Sequence, residues 1–159
     1  MRDERGRKIE TSPLLSLNIR CALVLAIAFF SLGCGLSSER RSIPTEVEST
    51  ISSVSDDIAA ERYEKVYSEA SDLWRQGATL EDSVATFKTL RTKLGVVENR
   101  VLQSAKEQEN SSGPLQGRSF SVTYRTKFEL GEGMETFTLI QRNGRWQLAR
   151  YFVNSTALQ

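Results

Sequence analysis

The chain has 159 residues, with 21 Lys and Arg against 20 Asp and Glu, and no histidine. A balance this close to neutral excludes the clustered positive charge that nucleic-acid phosphates require, and the missing histidine removes the commonest general base and neutral metal ligand. Both cysteines, Cys21 and Cys34, sit in or beside an N-terminal leader, so the folded part has to be held by packing without a disulfide.

In the leader, Arg2, Arg5, Arg7, Lys8 and Arg20 precede an apolar run from Cys21 to Leu32 whose one polar residue is Ser31. Charged residues followed by a short apolar run make a secretory signal, and the run falls short of the roughly 18 residues of a spanning helix. Leu32-Gly33-Cys34-Gly35 resembles the lipobox of bacterial lipoproteins, which implies cleavage before Cys34 and a diacylglyceryl group on its thiol. Ser31 and Gly33 also satisfy the small-x-small rule of ordinary cleavage, so a freely secreted protein and an uncleaved anchor stay open as alternatives. The expected organisation is a signal peptide over 1–33, a lipidated tether over 34–44 and one domain over 45–155. It places the domain on a membrane, facing the periplasm or the exterior.

From Glu46 the apolar residues Val47, Ile51, Val54 and Ile58 recur at helical spacing. Tyr63, Val66, Tyr67, Ala70, Leu73 and Trp74 continue with the stripe displaced by about one position. The change of phase at 60–62 predicts two helices meeting at a knuckle, the second ending at Gly77. A third helix carries Thr79 as N-cap, Glu81 and Asp82 in its first turn, Arg91 and Lys93 near its end, and Gly95 as terminator. Leu80, Val84, Phe87, Leu90 and Leu94 form its apolar face.

After Gly95 the period becomes two. A first strand is expected from Val96 to about Glu107, and a polar loop from Asn110 to Gly117. Phe120, Val122, Tyr124, Phe128 and Leu130 then alternate with polar residues, as in a half-buried antiparallel strand. Gly131-Glu132-Gly133 reads as a turn, and strands Glu135–Arg142 and Arg145–Val153 meet at Asn143-Gly144, a two-residue hairpin signal. A regular register sets Gln141 opposite Trp146, Leu139 opposite Leu148, Phe137 opposite Arg150 and Glu135 opposite Phe152. Phe137, Leu139, Trp146, Leu148 and Phe152 then face the helices, and Thr136, Thr138, Ile140, Ala149, Tyr151 and Val153 form an outer face suited to homodimerisation. The second strand joins the core only if the turn at 131–133 spans four residues or contains a bulge.

The stretch Phe87 to Arg100, with its Leu94-Gly95-Val96 junction, and the ending Asn143-Gly144-Arg145-Trp146-Gln147-Leu148-Ala149-Arg150-Tyr151-Phe152-Val153 resemble an uncharacterised family of short exported bacterial proteins, domain of unknown function 4019. The resemblance covers roughly Glu46 to Val153. It implies an α+β fold of the NTF2-like, or cystatin-like, kind: N-terminal helices packed on a curved antiparallel sheet of about four strands, forming a cone. It implies no activity, because that fold carries many unrelated functions.

For function, the residues leave carboxylate and tyrosine chemistry, since no phosphate loop, nucleophile elbow or metal set appears. Glu135 and Arg150, diagonal across the last two strands, are the candidate catalytic pair, against the alternative of a cross-strand ion pair. Asp56 and Asp57 are adjacent on a helix, point in different directions and read as a solvated face. Trp74 and Trp146 lie in apolar stripes and read as core. No cofactor or metal is implied, and no ligand is identified. The reading is a lipid-anchored binding module of the cell envelope; the alternatives are a carboxylate enzyme in the same cone and a freely secreted protein.

Overall fold

The computed structural model describes residues 37–39 and 42–159. The leader, the cleavage junction and Cys34 lie outside the described residues. Strand β1 (Ser37–Glu39) pairs antiparallel with residues 106–108, so part of the segment read as a tether adds a short edge strand. Four helices follow: α1 (Thr45–Ala59), α2 (Tyr63–Glu69), α3 (Asp72–Gly77) and α4 (Leu80–Leu94). Then come β2 (Val97–Asn110), β3 (Gly117–Phe128), β4 (Gly131–Arg142), β5 (Arg145–Asn154) and a closing 3₁₀ turn at Thr156–Leu158. The sheet is an antiparallel meander in the order β1-β2-β3-β4-β5, and the whole is the expected α+β arrangement of helices followed by an open, curved sheet.

The helix signals hold at both ends of α4. Thr79 accepts from the Asp82 amide through its side chain at 3.1 Å, and Gly95 closes the helix at φ +74° with its amide on the Arg91 carbonyl. One expected helix, however, is two. The chain is extended at Ala70 and Ser71, and the Ser71 amide leaves the helical ladder to donate to the Leu148 carbonyl of β5 at 2.9 Å. Docking on the sheet edge therefore supplies the hydrogen bond that a continuous helix would have made internally.

The glycines of the expected turn at 131–133 have another use. The turn lies two residues earlier, at Glu129 and Leu130, and is fastened to the end of α4 by the Leu130 amide on Leu94 and the Glu129 amide on Val96. Gly131 and Gly133 stand within β4 because the C-terminal segment crosses them: a Cβ on Gly133 would lie 2.7 Å from the Asn154 carbonyl oxygen. With this turn Phe120 faces Leu139 and Val122 faces Phe137, so the second strand reaches the core without a bulge at its turn.

At Asn143 and Gly144 the hairpin forms as read, both residues with positive φ. Its register holds from Arg142/Arg145 to Leu139/Leu148 and then slips, because Ala149 bulges and Thr138 pairs with Arg150. Beyond the bulge Phe137 faces Tyr151 and Glu135 faces Val153. Phe152, expected inside, is 64 % exposed, while Tyr151 and Val153, expected outside, pack inward. On the outer face Ser121 and Thr123 meet Thr138 and Thr136 in two hydroxyl pairs at 3.1 and 3.0 Å.

The core forms where the helices cover the inner sheet face. Val47 and Ile51 of α1, Tyr63 and Val66 of α2, and Phe87 of α4 pack on Ala105, Phe120, Val122, Phe137, Leu139 and Leu148. Phe87 is the centre, stacked on Tyr63 at 5.5 Å and Trp74 at 6.0 Å and tilted against Tyr151 at 5.7 Å; Tyr151 in turn meets Phe137 at 5.1 Å. Each such ring pair adds about 0.5–1.5 kcal/mol beyond its buried area.

Candidate functional site

Glu135 occupies the inner face of β4 and is fully buried. A lone ionised carboxylate there would cost far more than a small domain can tolerate, and the sequence answers with four donors. Arg100 of β2 grips both oxygens, Nε to Oε2 at 2.6 Å and Nη2 to Oε1 at 2.9 Å. Thr126 of β3 donates to Oε2 at 2.8 Å, and Tyr151 of β5 donates to Oε1 at 2.7 Å. Each oxygen accepts two hydrogen bonds, which fills the capacity of a carboxylate.

Every strand from β2 to β5 contributes to this cluster, so it ties the sheet together. Burial alone would lower the Arg100 pKa, but the hydrogen bonds and charge of Glu135 outweigh it and hold the guanidinium above its usual value. The guanidinium also lies over the Phe137 ring at 5.7 Å. Burial pushes the Tyr151 hydroxyl well above the ordinary tyrosine range, and the charge of Glu135 and its acceptance of the hydroxyl proton act in the same direction. Tyr151 therefore stays a protonated donor throughout the neutral range.

Above the cluster, between the C-terminal halves of α1 and α4 and the start of β2, lies a cleft of about 200 Å³. Tyr151 and Arg100 form part of its floor, Ile58, Leu90, Leu94, Phe128 and Val153 supply apolar wall, and Ser55, Asp56 and Arg91 supply polar groups. Val96 and Val97, both more than a third exposed, flank its mouth. A second, more polar cleft of about 560 Å³ separates α1 and α2 from the start of β5, with Trp146 in its wall.

The structure brings together a different set from the one expected. Glu135 is at the centre, but Arg150 is exposed on the opposite face of the sheet, opposite Thr138, and makes no pair with it. The counter-ion is Arg100, which sequence alternation misplaces: β2 carries bulges at Glu98 and Gln103, and the second of these turns Arg100 onto the inner face. Asp57 departs from its reading as well. It is buried at the end of α1 and accepts from Arg62 Nε at 2.8 Å and from Lys65 Nζ at 3.0 Å, while Asp56 stays exposed as read. Burial would raise the Asp57 pKa, but the hydrogen bonds and charges of Lys65 and Arg62 prevail and lower it. Trp74 is packed as expected, its indole donating to Ser83 at 3.0 Å, and Trp146 is half-buried, edge-on to Phe120 with the Arg118 guanidinium over its ring.

Among known families, residues 52–151 match the model of one described as a protein of unknown function (DUF4019). No curated protein matches the chain.

Proposed function

We propose that this chain, which belongs to the DUF4019 family, is an exported, lipid-anchored binding module of the bacterial cell envelope. One observation carries the binding part: the buried carboxylate beneath the open cleft has every acceptor position filled. A general base or nucleophile needs a free lone pair aimed at the substrate, and Glu135 offers none. Asp56, the other carboxylate at this cleft, stands in water at the rim. What remains is a rigid floor and a preformed apolar recess, which is the equipment of a binding site.

The anchoring part is supported by the basic leader, the short apolar run and the Leu32-Gly33-Cys34 junction. The chain is nearly neutral overall, so net charge adds little to membrane attachment and the acyl chains on Cys34 would do the holding. Self-association of the module is supported by Phe152, which is 64 % exposed on the outer sheet face beside Thr136. Phe152→Glu should then leave a monomer in sedimentation.

Two measurements test the proposal. Labelled fatty acid should enter the wild type and not Cys34→Ala, and Cys34→Ala should leave the membrane fraction. Native mass spectrometry of protein taken from membranes should find a bound small molecule that is lost when Ala59→Trp fills the cleft. Unlabelled wild type would remove the anchor, and a bare protein mass in every preparation would remove the binding module.

A further inference from the structure

Only Gly35 and Leu36 separate Cys34 from Ser37, where β1 begins. Three steps of extended chain reach at most roughly 11 Å, so a lipid on Cys34 keeps the start of β1 close to the bilayer. β1 runs antiparallel to β2, with Ser37 opposite Gln108 and Glu39 opposite Lys106, so the chain enters β1 from the side of Asn110, where β2 ends. The β2–β3 loop at 111–116 lies at that end of the sheet. So does the Asn143-Gly144 turn, because Asn110 pairs with Gly117 and Ser119 with Ile140. The two hairpin tips are fastened together: Arg142 Nη1 donates to the Gln116 carbonyl at 2.8 Å, and Arg118 Nη1 donates to Gln141 Oε1 at 3.2 Å. They therefore present one surface on the side from which the anchored chain arrives.

Charge selects what this surface meets. Arg118 is compensated by Glu107 at 2.5 Å and stands opposite Glu109. Arg142 and Arg145, which flank the β4–β5 turn, have no carboxylate partner among the described residues: Arg142 bonds carbonyl oxygens alone, and Arg145 is exposed. The loop at 111–116 carries no acidic residue. The far end of the sheet offers apolar Val96, Val97 and Leu130, all exposed, beside the exposed carboxylates of Glu129 and Glu132. The 14 residues of β2 separate the two ends by on the order of 40 Å, so a tether this short cannot set the domain down on that far end. We infer that the joined tips of the β2–β3 and β4–β5 hairpins are the membrane-facing surface of the domain, with Arg142 and Arg145 on the headgroups of anionic phospholipids. The acyl chains hold the domain and the arginines orient it. The cleft, with Val96 and Val97 at its mouth, then opens away from the bilayer. This inference rests on the lipid-anchor reading and adds to it the orientation and the lipid class.

The test uses protein purified from membranes and reconstituted into vesicles, one set of phosphatidylcholine with phosphatidylglycerol and one of phosphatidylcholine alone. Tryptophan fluorescence is read with a nitroxide quencher on the lipid headgroup. Ser112→Trp puts a reporter at the tips and Leu130→Trp puts one at the far end, with the native tryptophans as common background. With phosphatidylglycerol, Ser112→Trp should be quenched beyond the wild type and Leu130→Trp should not. Each arginine at an anionic surface favours contact by roughly fivefold. Arg142→Gln with Arg145→Gln should therefore lower the tip-down population, relative to other orientations, by roughly 20- to 30-fold while the protein stays on the vesicles. Phosphatidylcholine alone should remove the extra quenching with both arginines in place, which keeps the test decisive if the double variant does not fold. No extra quenching of Ser112→Trp, equal quenching at the two positions, or quenching that ignores both lipid charge and the arginines overturns the inference. The mass of the mature protein reports the anchor separately. Without a diacylglyceryl group on Cys34 the anchor reading fails, and coupling the Cys34 thiol to a maleimide lipid in the vesicle supplies the same tether for the orientation measurement.

Discussion

Replacing Arg100 by Met is the most direct test of the idea that Glu135 is a structural ion pair. The substitution keeps an unbranched apolar stem over Phe137 but removes both charge-assisted hydrogen bonds, leaving a carboxylate with no solvent exposure and two neutral donors, Thr126 and Tyr151. Removing one partner of a fully buried pair costs about 3–5 kcal/mol. The Arg100 side chain is 24 % exposed, so water can reach the vacated position, and the expected loss is nearer about 2–4 kcal/mol. For a domain of this size that lowers the melting temperature by roughly 10 °C. Urea unfolding should show the midpoint fall with an unchanged m-value, since the surface exposed on unfolding stays the same. The double variant Arg100→Met with Glu135→Leu should recover most of the loss, because replacing a buried pair by apolar residues of similar volume is often neutral or stabilising. An Arg100→Met protein within about 0.5 kcal/mol of wild type, or a double variant less stable than the single one, would refute the reasoning.

Asp57 has a folded-state pKa below its unfolded value, so its pairing with Lys65 and Arg62 contributes stability above about pH 4 and loses it as pH falls through the lower folded value; the stability gap between wild type and Asp57→Asn should be flat near neutrality and close in acid unfolding curves below about pH 4. Tyr151 is shifted the other way, so its contribution is complete below about pH 10 and is lost as pH rises towards the folded value. Tyr151→Phe should therefore be less stable at pH 7, where Glu135 loses a donor, yet show a shallower fall in stability above pH ~10, read from alkaline denaturation and tyrosinate absorbance. Gly133→Ala drives a methyl to within 2.7 Å of the Asn154 carbonyl oxygen and should cost about 1–3 kcal/mol in thermal unfolding as the C-terminal segment shifts.

What the sequence made legible was what local chemistry controls. Thr79 and Gly95 bounded α4 because a hydroxyl cap and a left-handed terminator act on the nearest turn of backbone. Asn143-Gly144 located the last hairpin because two consecutive positive φ values are cheap for that pair. The alternation from Phe120 to Phe128 gave the inner face of β3 because that strand is regular. Two misreadings share a cause: a tertiary contact overrode a local signal. Gly131 and Gly133 looked like a turn and are instead a place where another segment passes close above the strand. The stripe from Tyr63 to Trp74 looked like one helix until the sheet claimed the Ser71 amide.

The candidate site was half legible, and two inserted residues account for the other half. Alternation carried from Leu148 without interruption puts Arg150 beside Glu135 and turns Tyr151 away. Ala149 bulges, so Tyr151 comes inward and its hydroxyl reaches Oε1. On β2, alternation carried back from Ala105 would put Val101 inside, but Gln103 bulges and Arg100 takes that side instead. The two bulges thus exchange an exposed arginine for a deeply placed one and exchange Phe152 for a tyrosine that can donate. Without them Glu135 would face Phe152 and a rim cation in water, and a buried carboxylate in that setting would be poorly satisfied. Bulges also bend strands and increase local twist, so the residues that bring the four donors together also curve the sheet that carries the cleft.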